Sequence, residues 1–359
     1  MKKVIALMIV CAMAVCLGSA TSQAADAQKK PEIRTSVQPV MHGFPLWYAE
    51  NYANLKDAPF TSRLLFFTSG PPQIEALAAG EWDLGCIGAI PTLLASMRYG
   101  YKMVAVITGE SDVLDIWVRP NSPLLKTKGV NPKHPNIYGT AADWKGKKIF
   151  STTMSTGHMA LSATLKALDL KDSDVSIVHM EQGQALTAFS SGEGDMINLW
   201  APYSYYAEER GWVRVSSGTD AGAMIIGCAG VSKEFADKNP ELVVAWLEQF
   251  MQSVEKVKSS PAELVDPLLA YFNGYCGLQL TRQHVEKEFK THPHYNLQEQ
   301  LKALKDPNEA KAWMRGVAQF LLDQNRISQK EFDSYVAADC YIDSSFMEKL
   351  AAKRAAAGK

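Results

Sequence analysis

A phrase that occurs twice constrains this chain more than any other feature. Gly80-Glu81-Trp82-Asp83 precedes one short apolar run, and Gly192-Glu193-Gly194-Asp195 precedes another, 112 residues later. Each copy then reaches a proline, continues with helix-compatible sequence and stops at a glycine. A helix that ends at glycine, a tight turn, a short strand and a new helix form an αβα unit. The repeat therefore predicts two similar α/β lobes, and paired lobes of this kind commonly bind a molecule between them.

The N-terminus has the composition of an export signal. Met1 to Lys3 is basic, Val4 to Leu17 is apolar, and Ser22 to Ala24 offers the small residues that signal peptidase needs. The apolar stretch is shorter than the roughly 20 residues of a membrane span. We therefore predict that residues 1–24 are removed and that the mature chain is periplasmic. Lipidation at Cys16 is the less favoured alternative.

The charge balance argues against nucleic-acid and membrane-surface partners. The segment 1–24 carries two of the 37 basic residues and no acid, which leaves 35 basic against 38 acidic residues, and no run of like charge occurs. The full sequence is 47% hydrophobic, and the part after residue 24 is long enough to bury two cores. We expect a monomer, because a carrier of small molecules diffuses on its own.

Four cysteines remain after residue 24. Cys86 and Cys228 lie in apolar, strand-like runs and are expected to be buried free thiols. An oxidising compartment permits disulfides. If one bridge forms, we predict that it joins Cys276 to Cys340.

Short apolar runs alternate with helix-compatible segments from residue 33 to residue 216, which predicts mostly parallel sheets covered by helices on both faces. The predicted strands are Ile33–Val37, Leu64–Phe67, Leu84–Ile87, Met103–Ile107, Lys147–Ser151, Val175–Met180, Met196–Leu199 and Val213–Ser216. The predicted helices are Phe44–Asn51, Pro71–Ala79, Pro91–Tyr99, Gly157–Leu168, Gln184–Ser190 and Pro202–Glu209.

The remaining segments indicate how the lobes connect. Asp115–Val118 and Ala223–Val231 are interpreted as the segments that cross between lobes. Beyond Val231 only helices are predicted, and they are expected to return to the first lobe. They begin at Pro240 and Pro261 and cover 307–325, 328–338 and 345–356. Residues 121–142 are rich in turn-forming and polar residues, and we expect a long loop that is either disordered or a contact surface.

Five segments form a series that resembles one known family. They are 72–91, Asp143–Ile149, Ser155–His158, Asp195–Tyr203 and Val231–Glu241. In this order they resemble the nitrate/sulfonate/taurine (NMT1-like) branch of ABC-transporter substrate-binding proteins. The resemblance implies a two-lobe, type II periplasmic-binding-protein fold with a helical C-terminal extension. It also implies an inner-membrane permease as partner and no enzymatic activity.

The predicted domain limits follow from that fold. We expect the first part of lobe 1 at 25–110, lobe 2 at 111–220, and the return to lobe 1 with the C-terminal helices at 221–359. The predicted hinge includes Thr108, Gly109 and Glu110. The family usually has glycine before its Ser-Thr-x-His helix start, whereas this chain has Met154. That departure leaves the ligand open.

Candidate ligand contacts are the residues that follow strands and begin helices, because ligands of open α/β sheets bind at those ends. Helix N-termini present free N–H groups to an anion. The first lobe offers His42, Gly43, Phe44, Trp47, Ser69, Gly70, Gly88, Ala89 and Ile90, and the second offers Ser155, Thr156, His158 and Trp200.

Several candidates have plainer structural interpretations. Ser155 and Thr156 suit helix caps, His158 suits a structural hydrogen bond, and a tryptophan is commoner in a core than in a cleft. Glu110 suits a solvated hinge charge. A metal site at His292-Pro293-His294 is weakly supported, because no other ligand lies near in sequence. We expect no metal and no cofactor.

The sequence thus predicts a periplasmic solute-binding protein that delivers a small anionic or zwitterionic compound to an ABC importer. Hinge closure would trap a sulfonate- or taurine-like ligand, and Phe44, Trp47 and Trp200 favour an organic part. Nitrate and a thiamine-pyrimidine-type precursor are the alternative ligands. A secreted enzyme on the same fold is disfavoured, because the common nucleophile, phosphate-loop and metalloprotease motifs are absent from the sequence.

Overall fold

In a computed structural model of the protein, the structure describes residues 30–53 and 55–358. The predicted signal peptide and the alternative at Cys16 lie outside these residues. The strands are β1 Glu32–Val37, β2 Thr61–Phe66, β3 Leu84–Gly88, β4 Lys102–Gly109, β5 Leu114–Val118, β6 Lys148–Ser151, β7 Ser176–His179, β8 Met196–Trp200, β9 Val213–Ser217 and β10 Ile226–Val231.

The strands form two five-stranded sheets that share one topology. The order is β2-β1-β3-β10-β4 in the first sheet and β7-β6-β8-β5-β9 in the second. In each sheet the fourth strand is antiparallel to both neighbours and the other four point the same way. This confirms the predicted two-lobe α/β fold.

The two predicted crossing segments are corrected by this topology. Asp115–Val118 and Ala223–Val231 were expected to lie between the lobes, but β5 and β10 are wholly buried strands inside the sheets. They run antiparallel because the chain enters each sheet from the other lobe. The connections between lobes are the stretches just before β5 and just before β10.

The repeated acidic phrase joins the second and third strands of each sheet, in the orders given above, in the same way. Asp83 N donates to Arg34 O, and Arg34 N donates to Asp83 Oδ2 over 3.0 Å. Asp195 N donates to Lys148 O, and Lys148 N donates to Asp195 Oδ2 over 2.8 Å. The glycine that opens each phrase has a positive φ, 70° in one and 99° in the other, which favours glycine.

The helices cover both faces of the sheets. They are α1 Phe44–Asn51, α2 Gly70–Ala78, α3 Ala89–Tyr99, α4 Ala141–Trp144, α5 Thr156–Ala167, α6 Gln182–Ser190, α7 Tyr203–Glu209, α8 Lys233–Lys238, α9 Pro240–Ser259, α10 Val265–Leu269, α11 Arg282–Thr291, α12 Leu297–Lys305, α13 Ala310–Asp323, α14 Gln329–Glu331 and α15 Ser345–Ala356.

The C-terminal helices pack on the first lobe, as the sequence predicts. Helix α9 packs against α1, α13 against α3, and both α12 and α15 against β4. The sequence analysis missed α11 and α12. Helix α11 has only two apolar residues, Val285 and Phe289, so its sequence pattern is too sparse to indicate a helix.

Residues 121–142 form a packed loop. Leu124 and Ile137 are buried in the core of the second lobe beside Trp144. Gly129 N donates to Ile137 O, which closes the loop on itself. The loop therefore packs against the core of the second lobe.

The four cysteines in the described part of the chain are free thiols. Cys86 and Cys228 are buried in the first sheet, as predicted. Cys276 and Cys340 are also free, so the predicted bridge is not formed. Cys276 packs with the aromatic residues around Tyr271, whereas the Cys340 carbonyl accepts a hydrogen bond from Lys102 beside β4. None of the helices in the described ranges combines the length and apolar character of a membrane span.

Candidate functional site

A small cavity lies where the two lobes meet. Its volume is about 30 Å³, which is room for about two waters or a compact polar group. The first lobe and its C-terminal extension contribute Gln38, Val40, His42, Gly70, Gly88, Pro91, Glu110 and His292. The second lobe contributes Val113, Leu114, Ser155, Thr156, Trp200 and Ala201.

Three helix N-termini converge on this cavity, those of α2, α3 and α5. A Cβ at Gly70 would lie 2.5 Å from Pro91 Cγ, so the starts of α2 and α3 touch. A Cβ at Gly88 would lie 2.9 Å from Thr156 Cγ2, so the starts of α3 and α5 touch across the lobes. Free N–H groups and helix dipoles give these ends partial positive charge. The arrangement suits an oxyanion.

Two buried side chains at the cavity keep an unpaired nitrogen. His42 is 3% exposed and Trp200 is 7% exposed, and neither His42 Nε2 nor Trp200 Nε1 has a hydrogen-bond partner. His42 Nδ1 lies 2.8 Å from Glu110 Oε1. A Cβ at Gly227 would come within 2.6 Å of Glu110 Oε1, so glycine on β10 makes room for this pair. Buried polar atoms normally have partners, so these two nitrogens are candidate ligand contacts.

The cavity has a second histidine, His292, which was considered from the sequence only as a weakly supported metal ligand. His292 follows α11, lines the cavity, and places Nδ1 3.2 Å from Glu288 Oε2. Burial raises the pKa of the Glu288 carboxyl above its usual range. Burial also lowers the pKa of His294 to about 3, so that imidazole stays neutral. Among residues 30–53 and 55–358, no group of three or more His, Cys, Asp or Glu side chains is arranged to hold a metal ion.

Part of the predicted ligand set meets at the cavity. The residues that line it are His42, Gly70, Gly88, Ser155, Thr156 and Trp200. Glu110 was expected to be a solvated hinge charge, but it is 7% exposed and lines the cavity. Six lining residues were not among the predicted contacts: Gln38, Val40, Pro91, Val113, Leu114 and His292.

The predicted aromatic wall from α1 lies elsewhere. Phe44 and Trp47 are buried in an aromatic cluster, with ring centroids 5.9 Å and 5.5 Å from that of Tyr271. Gly43 lies beside the Tyr271 hydroxyl, which a Cβ would approach to 2.3 Å. These residues hold α1 against the C-terminal extension and do not line the cavity.

Four other predicted ligand contacts do not line the cavity. Ala89 and Ile90 are fully buried in the core of the first lobe. Ser69 is fully buried, and its hydroxyl donates to Glu181 Oε1 over 3.0 Å. His158 Nε2 lies 2.9 Å from Asp172 Oδ2. Each of these side chains already has a structural partner or packs in a core.

The backbone just before α5 accounts for the glycine that the family usually has at the position of Met154. The φ of Met154 is 60°, a left-handed value that glycine adopts more easily than other residues. Met154 N donates to His158 Nδ1 over 3.2 Å, and Ser155 Oγ accepts from His158 N over 3.3 Å. The structural interpretations of Ser155 and His158 therefore apply, because together they support this turn. Ser155 in addition reaches the cavity.

The two connections between lobes run side by side. Glu110 N donates to Ile225 O over 2.8 Å, and Thr219 N donates to Ser111 O over 3.0 Å. Thr108 and Gly109 end β4 immediately before the first connection. A hinge at Thr108, Gly109 and Glu110 stays a prediction. Two adjacent connections between lobes are compatible with such a hinge.

The lobes also contact each other directly, so the structure is a closed arrangement. The contacts join loops and helices of the first lobe and its extension to those of the second lobe. They are Ser69 with Glu181, Gln324 with Asp172, His284 with Glu209 and Lys287 with Glu208.

Two lobes of identical topology, joined by paired connections and enclosing a cavity between them, define the class of periplasmic binding proteins. Residues 26–264 match the NMT1-like family, and the chain belongs to this family. Both the predicted family and the predicted fold are confirmed.

Individual relatives agree with this assignment. A Brachyspira hyodysenteriae protein named as an ABC transporter periplasmic binding protein is 28% identical over 337 residues, 94% of each chain. The alkanesulfonate-binding protein SsuA of Xanthomonas axonopodis, bound to MOPS, has a TM-score of 0.64 at 20% identity and covers 85% of this chain and 96% of its own. The nitrate-binding protein NrtA of Synechocystis has a TM-score of 0.69 at 12% identity, covering 91% and 89%. These relatives are binding proteins.

Proposed function

We propose that this protein captures a small sulfonate, or a similar oxyanion, between its lobes and delivers it to an ABC importer. The observation that carries the proposal is the convergence of the N-termini of α2, α3 and α5 on one cavity. The unpaired His42 Nε2 and Trp200 Nε1 at the same cavity support it. The names of the sulfonate- and nitrate-binding relatives point to the same ligand class.

The physical chemistry of the cavity suits a compact oxyanion with a short organic part. Each helix N-terminus contributes about 0.3–1 kcal/mol at an exposed site and more when partly buried. Three such ends and the indole N–H surround the head group. Val40, Pro91 and Leu114 form apolar wall for a short carbon chain.

Hinge closure is the proposed mechanism. A ligand between the start of α3 and the start of α5 contacts both only when the lobes meet, so it shifts the population toward the closed form. The proposed hinge comprises Thr108, Gly109 and Glu110 at the first connection between the lobes, together with residues 218–225, which form the second connection. A permease in the inner membrane would then bind the closed surface.

The remaining parts of the proposal concern the chain as a whole. The periplasmic relatives support export, with cleavage near Ala24. We propose a monomer without catalytic activity and without a nucleic-acid partner. The proposed limits are 25–110 and 221–359 for the first lobe with its extension, and 111–220 for the second. The membership of the strands in the two sheets supports these limits.

Nitrate is the second candidate ligand. The observation that favours it is the cavity volume of about 30 Å³, which suits a ligand of few atoms. A larger organosulfonate would require the lobes to stand further apart than they do here.

A thermal-shift screen of the mature protein against ethanesulfonate, taurine and nitrate tests the proposal. A ligand at 100 times its Kd stabilises the folded state by about 2.7 kcal/mol, so a true ligand raises Tm in a saturable way. Calorimetric titration then gives the stoichiometry, which we expect to be one. Absence of stabilisation by all three oxyanions, or turnover of any of them, would contradict the proposal.

A further inference from the structure

The cavity proposed to bind an oxyanion contains a carboxylate and no permanent cation. Glu110 lines it, and neither lysine nor arginine does so within the described ranges. Any ligand in a cavity this small lies a few ångströms from that carboxylate. Like charges at such separations repel strongly in a site shielded from water. A positive group must therefore accompany the ligand.

His42 is the group placed to supply that charge. Its Nδ1 lies 2.8 Å from Glu110 Oε1, so a hydrogen bond to the carboxylate keeps a proton on Nδ1. In the neutral imidazole Nε2 then carries a lone pair, which repels an oxyanion. In the imidazolium the same nitrogen is an N–H donor. His42 lines the cavity, and its buried Nε2 has no hydrogen-bond partner.

We propose that the oxyanion binds together with one proton, which His42 takes up from solvent. This inference rests on the proposed function. The proton bonds to the Nε2 lone pair, the new N–H donates to a ligand oxygen, and Nδ1–H continues to donate to Glu110. The bound set of oxyanion, imidazolium and carboxylate then carries one net negative charge instead of two.

The other titratable groups around His42 do not replace it. His294 interacts with His42 but stays neutral, because burial lowers its pKa to about 3. Lys258 donates to the His294 carbonyl. His292 lines the cavity, but its Nδ1 faces Glu288, whose buried carboxyl has a raised pKa.

Proton uptake makes the affinity depend on pH in one direction. The ligand-bound form holds one more proton than the free form, so affinity is highest at low pH. Where His42 is neutral in the free protein, Kd rises about tenfold for each unit of pH. A ligand bound through Glu110 alone, such as a simple cation, would show the opposite slope.

Calorimetric titration with ethanesulfonate across roughly pH 5 to 8, the range in which imidazoles titrate, tests this inference. Each pH is measured in two buffers that differ in ionisation enthalpy, so that proton uptake appears as a difference in observed heat. We expect uptake to approach one proton per ligand towards the upper end of the range. Binding with no proton exchange, or with proton release, would overturn the inference and leave the proposed function standing. Failure of both ethanesulfonate and nitrate to bind at any pH would overturn this inference and the proposed function together.

Matched variants assign the proton to His42. In His42→Gln we expect any residual binding to occur without proton uptake, whereas His292→Gln keeps it. His134→Gln is the control, because His134 contacts the Asp220 carbonyl in the second lobe, away from the cavity. Glu110→Gln removes the repelling charge and keeps a hydrogen-bond acceptor. It should bind ethanesulfonate more tightly than the unchanged protein at pH about 8, with a shallower slope. Proton uptake that persists in His42→Gln would contradict the assignment.

Discussion

The two lobes share a topology, yet they bring different chemistry to the cavity. The first lobe and its extension present the titratable side chains His42, Glu110 and His292. The second lobe presents only uncharged groups, among them Thr156 and the Trp200 indole. The comparison teaches that topology sets where a ligand binds, whereas the side chains at the strand ends set what is bound. It also suggests a division of labour, in which the first lobe recognises charge and the second closes over it.

The largest expected effect comes from blocking the contact between the two lobes. Gly88→Val would place methyl groups where a Cβ alone is already 2.9 Å from Thr156 Cγ2. Because the ligand binds fully only in the closed form, affinity for ethanesulfonate should fall at least about 100-fold, or ~2.7 kcal/mol. Calorimetry gives the affinity, and small-angle scattering should report a more open particle. Gly183→Val is the control, since a Cβ there meets nothing within 4 Å. Equal loss in both variants would contradict the closing contact.

A second prediction separates the two copies of the acidic phrase. Asp83 is 7% exposed and also binds the Arg34 guanidinium, at 2.6 Å and 3.0 Å, whereas Asp195 is exposed. Asp83→Ala leaves buried donors without their acceptor and should cost about 2 kcal/mol of unfolding free energy. Asp195→Ala should cost about 0.5–1 kcal/mol, because water replaces its acceptor. Urea denaturation measures both. Equal costs would mean that the two phrases support their sheets alike.

A smaller effect is expected from removing one neutral donor of the second lobe. Trp200→Phe keeps most of the buried ring area and removes the unpaired Nε1–H. The loss of one hydrogen bond to the ligand should weaken binding about fivefold, or ~1 kcal/mol, with little change in Tm. Trp200→Ala would be less clear, because Trp200 is also part of a buried core. Trp212→Phe serves as control, since Trp212 packs on Phe189 outside the cavity. Unchanged affinity in Trp200→Phe would remove the indole from the site.

The smallest effect concerns a contact at the rim. Gln324 Nε2 donates to Asp172 Oδ2 across the lobes over 2.7 Å, at a partly exposed position. Gln324→Ala should weaken ethanesulfonate binding about twofold to threefold, by favouring the open form. Gln319→Ala is matched, because Gln319 lies on the same helix and bonds to Asp323 within it. A loss of more than tenfold would show that the rim, rather than the cavity, dominates closure.

Much of the fold could be predicted because its signals are local. The repeated phrase, the prolines at helix starts and the apolar runs gave most boundaries to within a few residues, as for α1, which is predicted and observed at Phe44–Asn51. Helix α11 was missed because it is mostly charged. Asp115–Val118 and Ala223–Val231 were interpreted as crossing segments because the pairing of β5 and β10 with strands distant in sequence is a tertiary property.

The site was predictable only where it follows from topology. Gly70, Gly88 and Thr156 were predicted because a helix N-terminus after a strand is a general ligand position, and they line the cavity. Phe44 and Trp47 do not line it, because they pack in the aromatic cluster around Tyr271, and no sequence pattern separates a core aromatic residue from one in a cleft. His292 reaches the cavity through packing of the C-terminal extension, which no local pattern in the sequence specifies.

The most direct test of the central claim is a crystal structure of the protein with ethanesulfonate. We expect the sulfonate oxygens within hydrogen-bond distance of backbone N–H groups at the starts of α2, α3 and α5, and of His42 Nε2. A sulfonate bound elsewhere, or lobes that share no cavity when it is bound, would contradict the account.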